Sequence, residues 1–256
     1  MHVAYIANGF CNTSEAPGDM WGLCELRFWN PTHRPTSVRM TVYYAERPPV
    51  ELPPYEIGAE ANPLLVFPRN YTEHFQDCGP WGMRLVSDTM LMADHILSAR
   101  RNGPPDNVKY RGGVGDTLLK TRVARLWYFS DGIRINQKPL NPKSLFPFHE
   151  FEWYHILNPG KRDAHVTMRC VYGAGKHEDL KYTVGAERVL MYDNYAMCFD
   201  HTACYGIRFM SDEPVIVESE RIIYGLNGLE EWGAQIHCQR PGLPAPLEWN
   251  EDDGVL

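Results

Sequence analysis

Two octapeptides decide the fold: Trp81-Gly82-Met83-Arg84-Leu85-Val86-Ser87-Asp88 and, 124 residues further on (81 to 205), Tyr205-Gly206-Ile207-Arg208-Phe209-Met210-Ser211-Asp212. Four of the eight positions are identical and the others are like for like. Upstream, Glu56-Ile57-Gly58-Ala59-Glu60 matches Thr183-Val184-Gly185-Ala186-Glu187. Asn30-Pro31 with Val38–Tyr44 matches Asn158-Pro159 with Val166–Tyr172, and Tyr5–Gly9 matches Tyr128–Gly132. Four matches in the same order, with nearly constant offset, make the chain a tandem duplication.

The duplication also decides the secondary structure. Alone, Thr89–Arg101 reads as helix, because Met90, Leu91, Met92, Ala93 and Leu97 are good helix formers. Its counterpart, Glu213–Tyr224, is β-branched and alternating, which is the pattern of a strand. Homologous segments share a conformation, so both are predicted to be strands, with Ser87-Asp88 and Ser211-Asp212 opening hairpin turns. Short apolar runs bounded by Asn-Pro, Gly or Pro fill the rest of each copy. The expected fold is all-β, two tandem antiparallel β-sandwich domains. The first repeat is placed at 1–101, a Gly/Pro-rich linker at 102–121, the second repeat at 122–225 and a C-terminal extension at 226–256.

Composition agrees with many turns. Gly (21) and Pro (20) make up 41 of the 256 residues, above the roughly 12% of average proteins. With 25 Lys+Arg against 32 Asp+Glu the formal net charge is −7, which leaves no basic excess for a nucleic-acid backbone. No stretch reaches the ~20 apolar residues that span a bilayer. The N-terminus has no signal-peptide pattern, and the seven cysteines contain no Cys-x-x-Cys, so a reduced, cytoplasmic protein is expected.

The second copy strings together Trp127–Gly132, Glu152-Trp153-Tyr154-His155-Ile156-Leu157-Asn158-Pro159-Gly160, Ala164-His165-Val166, Thr183–Arg188 and Tyr205–Val217. In this combination it resembles the sensory rhodopsin transducer superfamily. The resemblance implies a small-molecule binding β-sandwich, with sugars as the ligand class, and a homo-oligomer. Position by position, it points to Glu152 (Glu25 in the first copy), to Arg188 (replaced by Ala61) and to Arg221 (replaced by Leu97).

The residues themselves offer several constellations. Arg84 and Arg208 recur inside apolar strands, where an arginine calls for a carboxylate or ligand partner. Among the aromatic residues, Trp81 and Trp232 are candidates for stacking on a sugar, core packing being the competing role. Glu152 and Glu218, with His201, are the candidate acid/base groups if the protein is an enzyme. The loops His74–Trp81 and Cys198–Tyr205 carry metal-capable groups: His74, Asp77 and Cys78 in one copy, Cys198, His201 and Cys204 in the other. A plain polar loop is the competing reading, and no other cofactor is expected. The function expected is the binding of a small polar ligand, of carbohydrate type. The alternatives are a glycoside hydrolase or lyase on the same scaffold, and a signalling adaptor with a protein partner.

Overall fold

The computed structural model describes residues 1–13, 20–101, 111–116, 121–134, 148–172, 176–193, 203–225, 234–240 and 243–244. In the first repeat the strands are β1 (His2–Cys11), β2 (Met20–Trp29), β3 (Thr36–Tyr44), β4 (Val50–Glu51), β5 (Tyr55–Ile57), β6 (Leu64–Phe67), β7 (Gly79–Ser87) and β8 (Met92–Arg101). A single helical turn, α1 (Thr72–Phe75), precedes β7. After β9 (Arg111–Asp116) the second repeat contributes β10 (Ala124–Arg134), β11 (Phe148–Asn158), β12 (Ala164–Tyr172), β13 (Lys176–Val184), β14 (Arg188–Asp193) and β15 (Ala203–Gly225). Two further strands, β16 (Ala234–Arg240) and β17 (Leu243–Pro244), follow. The chain is all-β, as expected. Among the described residues no helix is long and apolar enough to cross a membrane.

Each repeat is a pair of facing sheets. The front sheet of the first runs β1-β7-β3-β4, with β5 also on β3, and its back sheet is β6-β2-β8. In the second repeat the front sheet is β10, the first half of β15, β12 and β13. The back sheet there is β14, β11 and the second half of β15. Alternation builds the cores: Val38, Met40, Val42 and Tyr44 of β3 meet Cys24, Leu26 and Phe28 of β2 around Trp81. Val166, Met168 and Cys170 meet Tyr154 and Ile156 around Trp127 and Phe209 in the second repeat. Each such buried side chain contributes about 1.5–3 kcal/mol.

The repeated sequence blocks are turn instructions. Asn30 Nδ2 donates to the carbonyls of Arg34 (2.7 Å) and Gly58 (2.9 Å), and its Oδ1 accepts from Thr32 N. Asn158 does the same with Arg162 O (2.7 Å), Gly185 O (3.0 Å) and Gly160 N. The buried amide thus ties two loops together in each copy, and an apolar residue there would orphan three partners. Glu60 and Glu187, at matching positions, both adopt the left-handed conformation (φ 53° and 55°).

One expectation is corrected. Ser87-Asp88 and Ser211-Asp212 do not open hairpins. In the first repeat the chain bends after Ser87 and passes from front sheet to back sheet; in the second, β15 runs unbroken through Ser211-Asp212 from one sheet into the other. Asp212 is held there because its carboxylate accepts the His165 N–H at 2.7 Å, so a turn-forming dipeptide becomes a sheet-switching point. The segment read as linker contains β9, which pairs with β8 and, in parallel, with β16. In the C-terminal extension β16 pairs with β15 and β17 with β10.

The two repeats pack face to face. The outer surface of the first repeat's front sheet lies on the outer surface of the second repeat's back sheet. Ala7 and Tyr43 join the second core, and Met191 packs on the first. Leu157 lies against Gly82 so closely that a Cβ there would come within 3.1 Å of both its methyl groups. The register of β1 on β7 slips between Ile6 and Gly9. In that bulge the N–H groups of Ala7 and Asn8 both donate to Glu218 Oε2, at 2.9 and 3.1 Å.

Candidate functional site

A cleft of about 300 Å³ opens on the front sheet of the first repeat. It follows from strand alternation. On β3, Val38, Met40 and Val42 point inward, so Arg39 and Thr41 point out. Arg84 of β7 pairs across the ladder with Thr41, and Glu51 of β4 pairs with Thr41 on its other side. Arg39, Thr41, Glu51 and Arg84 therefore line one cavity, with Met1, Pro54 and Val86 as its apolar walls. Among the described residues no ion pair ties Arg39 or Arg84 to a carboxylate. Two guanidiniums against one carboxylate give the cleft a net positive field suited to a carboxylate or phosphate. Tyr43 lies at its border. Burial pushes its hydroxyl up to about 12, the Arg84 charge opposing.

The equivalent face of the second repeat is built differently. Arg169 stands where the first repeat has Thr41, and its guanidinium grips Asp179, the counterpart of Glu51, with two 2.7 Å bonds. That hydrogen-bonded pairing holds the Asp179 carboxyl below its ordinary value of 3.8. A depressed carboxylate stabilises the fold above its unfolded pKa, and the contribution is lost as pH falls through the folded one. Asp179→Asn is therefore expected to lower thermal stability modestly at neutral pH and to flatten the acid limb, the two proteins converging below about pH 4. Equal acid sensitivity in both proteins would contradict this pairing.

The residues singled out in the sequence are dispersed. Arg84 lines the cleft. Glu25 lies on the outer face of β2, 3.2 Å from Arg27. Trp81 is buried in the first core against Phe67, Phe75 and His95, and donates to Cys11 Sγ at 3.4 Å. Arg188 Nη1 donates to the carbonyls of Ala186 and Glu187 within its own turn. Arg208 pairs with Arg169 on the front sheet, whereas Glu218 lies on the opposite face of the same sandwich. Glu152 and Arg221 face each other in the β11–β15 ladder. Cys204 lies in β15, while Cys198, His201 and Trp232 lie outside the described residues.

In the first loop His74 sits 3.6 Å from Glu73, and Asp77 accepts Thr13 N and Oγ1, which keeps its carboxyl below the usual range. The Cys78 thiol is pushed well up by its hydrogen bond with Cys11 and by burial. Among the described residues no group of three His, Cys, Asp or Glu side chains is placed to hold a metal ion. Arg39, Thr41 and Glu51 escaped the sequence reading. The available signal was Arg39 in an apolar alternating strand, the same cue that marked Arg84.

No family model matches the chain, and no curated protein matches it. Solved structures do. The crystal structure of Thermotoga maritima 1070 aligns at 19% identity and TM-score 0.39, over 48% of this chain and 96% of its own. The Anabaena sensory rhodopsin transducer aligns at 22% identity and TM-score 0.31, over 38% of this chain and 87% of its own. These are distant structural relationships.

Proposed function

We propose that this protein binds a small polar ligand carrying a carboxylate, of the sugar-acid type, in the cleft between Arg39 and Arg84. One observation carries the reading: two guanidiniums and the Glu51 carboxylate line a single cavity of about 300 Å³, the lower end of the size range of small-molecule sites. The arginines would clamp the carboxylate bidentately, while Glu51 and Thr41 offer partners to ring hydroxyls. Glycoside hydrolysis in its usual form calls for two carboxylates at one site, and among the described residues Glu51 is the acid that lines this one.

Calorimetric titration with glucuronate and with glucose tests the proposal. Glucuronate is expected to bind and glucose to bind far more weakly. Arg84→Gln or Arg39→Gln each removes a charge-assisted contact of about 1.5–3 kcal/mol, a loss of at least tenfold in affinity. No heat from glucuronate or other sugar acids, or full binding by the Arg39/Arg84 double variant, would overturn it.

A further inference from the structure

Three thiols meet in the first repeat: Cys11 closes β1, Cys24 lies on β2, and Cys78 directly precedes β7. They lie far from the cleft, which opens where His2 pairs with Ser87; Cys11 pairs with Gly79 at the other end of the same ladder. Cys78 is therefore one residue from the Cα partner of Cys11. Paired Cα atoms in such a ladder are about 4.5–5.5 Å apart, and disulfides span roughly 4.4–6.8 Å. In a regular strand the residue beside the partner points to the other face. Here Asp77 (φ 49°) and Gly79 (φ 66°) take the left-handed conformation on either side of Cys78. The chain turns at that point, and the Cys78 thiol comes back into hydrogen-bond contact with Cys11.

The three thiols are not equivalent. Cys11 and Cys24 are fully buried, whereas Cys78 is half-buried. Cys24 is occupied: its Sγ accepts the Phe10 N–H and its thiol donates to the Phe10 carbonyl, both at 3.4 Å. Cys11 stands between the other two, in hydrogen-bond contact with each, and its Sγ also accepts the Trp81 indole N–H at 3.4 Å. That N–H favours negative charge on Cys11, the form in which one sulfur attacks another. Arg47 is stacked on the Tyr44 ring, 3.7 Å from its centroid, and its positive charge favours a Cys78 thiolate. The contact with Cys11 and burial act the other way and prevail, so Cys78 is a thiol at neutral pH. A cysteine kept for packing alone is sealed in the core. Cys78 is reachable from solvent while touching a sealed partner, the arrangement of an attacking thiol and its resolving thiol.

We propose that Cys78 and Cys11 are a site of reversible oxidation, converted by a hydroperoxide into a disulfide that pins the start of β7 to the end of β1. With hydrogen peroxide, the Cys78 thiolate attacks one oxygen and the O–O bond breaks. Water leaves, and Cys78 becomes a sulfenic acid. Cys11 then attacks that sulfur, its proton passing to the departing hydroxide; the S–O bond breaks and a second water leaves. Two thiols are oxidised, and one peroxide is reduced to two waters. Because the attacking thiol is protonated at neutral pH, the pair ignores a brief pulse of oxidant and accumulates the bond under sustained or alkaline exposure. The bond closes a loop of 67 residues (11 to 78), which removes freedom chiefly from the unfolded chain.

Peptide mapping of the full chain tests this. The protein is treated with hydrogen peroxide at mildly alkaline pH, alkylated with N-ethylmaleimide and digested without reductant. A peptide joining Cys11 to Cys78 is expected, and it is expected to be missing before treatment and after dithiothreitol. The oxidised protein is expected to melt about 5 °C or more above the reduced one. Cys78→Ser changes a half-buried position, so it is expected to fold as the wild type does by circular dichroism and to lose both the link and the rise in melting temperature. No linked peptide in the wild type, Cys11 joined to a different cysteine, or an oxidised protein that melts no higher than the reduced one would each overturn the proposal. So would a Cys78→Ser protein that still gains the rise.

Discussion

Glu218→Ala is expected to lower stability by about 3 kcal/mol, from the loss of a buried, charge-assisted staple. Its carboxylate accepts both bulge N–H groups of β1, and Ala7 and Asn8 are themselves buried. Removing it leaves two buried backbone donors in the contact between repeats without their acceptor. Glu218→Gln keeps an acceptor oxygen without the charge and should fall about halfway. Asp94→Ala is the control: Asp94, 124 residues earlier, pairs with Arg27 on β2 as Glu218 pairs with His155 on β11, but it is exposed, so its loss should change stability by less than about 0.5 kcal/mol. Guanidinium midpoints at constant slope measure all three. A Glu218→Ala midpoint equal to the wild type would remove the staple from the account of how the repeats hold together.

Gly9→Ala is expected to cost a similar amount by the opposite route, overpacking. Gly9 pairs with Trp81 across the β1–β7 ladder, and a Cβ on Gly9 would sit 2.2–2.4 Å from three atoms of the indole. The ring cannot step aside, because Phe67 and Phe75 pack edge-on around it. One added methyl in such a place costs about 3 kcal/mol. Trp81→Leu alone opens a cavity and is also destabilising, by roughly 3 kcal/mol. The double variant should cost clearly less than the two singles together, because the smaller side chain removes the clash. Strict additivity would show that the clash is relieved by backbone movement instead.

The duplication, the strand content and the turn role of Asn30 and Asn158 were legible because they are local and repeated. Met90–Leu97 was legible only through its counterpart, since its own propensities point to helix. What escaped depends on long-range register. Arg84 could be suspected from its apolar neighbours, and Arg39 by the same cue, but Glu51 reaches them through a two-residue strand that no periodicity announces. Glu218 is legible only as a candidate acid/base carboxylate, because nothing near it in the sequence shows a bulge 210 residues away. Ser211-Asp212 read as a turn, because a strand that changes sheets uses the same polar dipeptide to satisfy a neighbour's N–H.

The same carboxylate has a consequence in time. β1 is synthesised first, yet the acceptor for its bulge lies 211 residues further along the chain. At about 5–20 residues per second of synthesis, Ala7 waits roughly ten to forty seconds for Glu218. Until then the first sandwich can close its own core, but its front sheet keeps two open donors and an uncovered Tyr43. Contacts of such separation are late and slow in any folding order. The first repeat is thus a finished core with an unfinished outer face during synthesis, and the second repeat completes it.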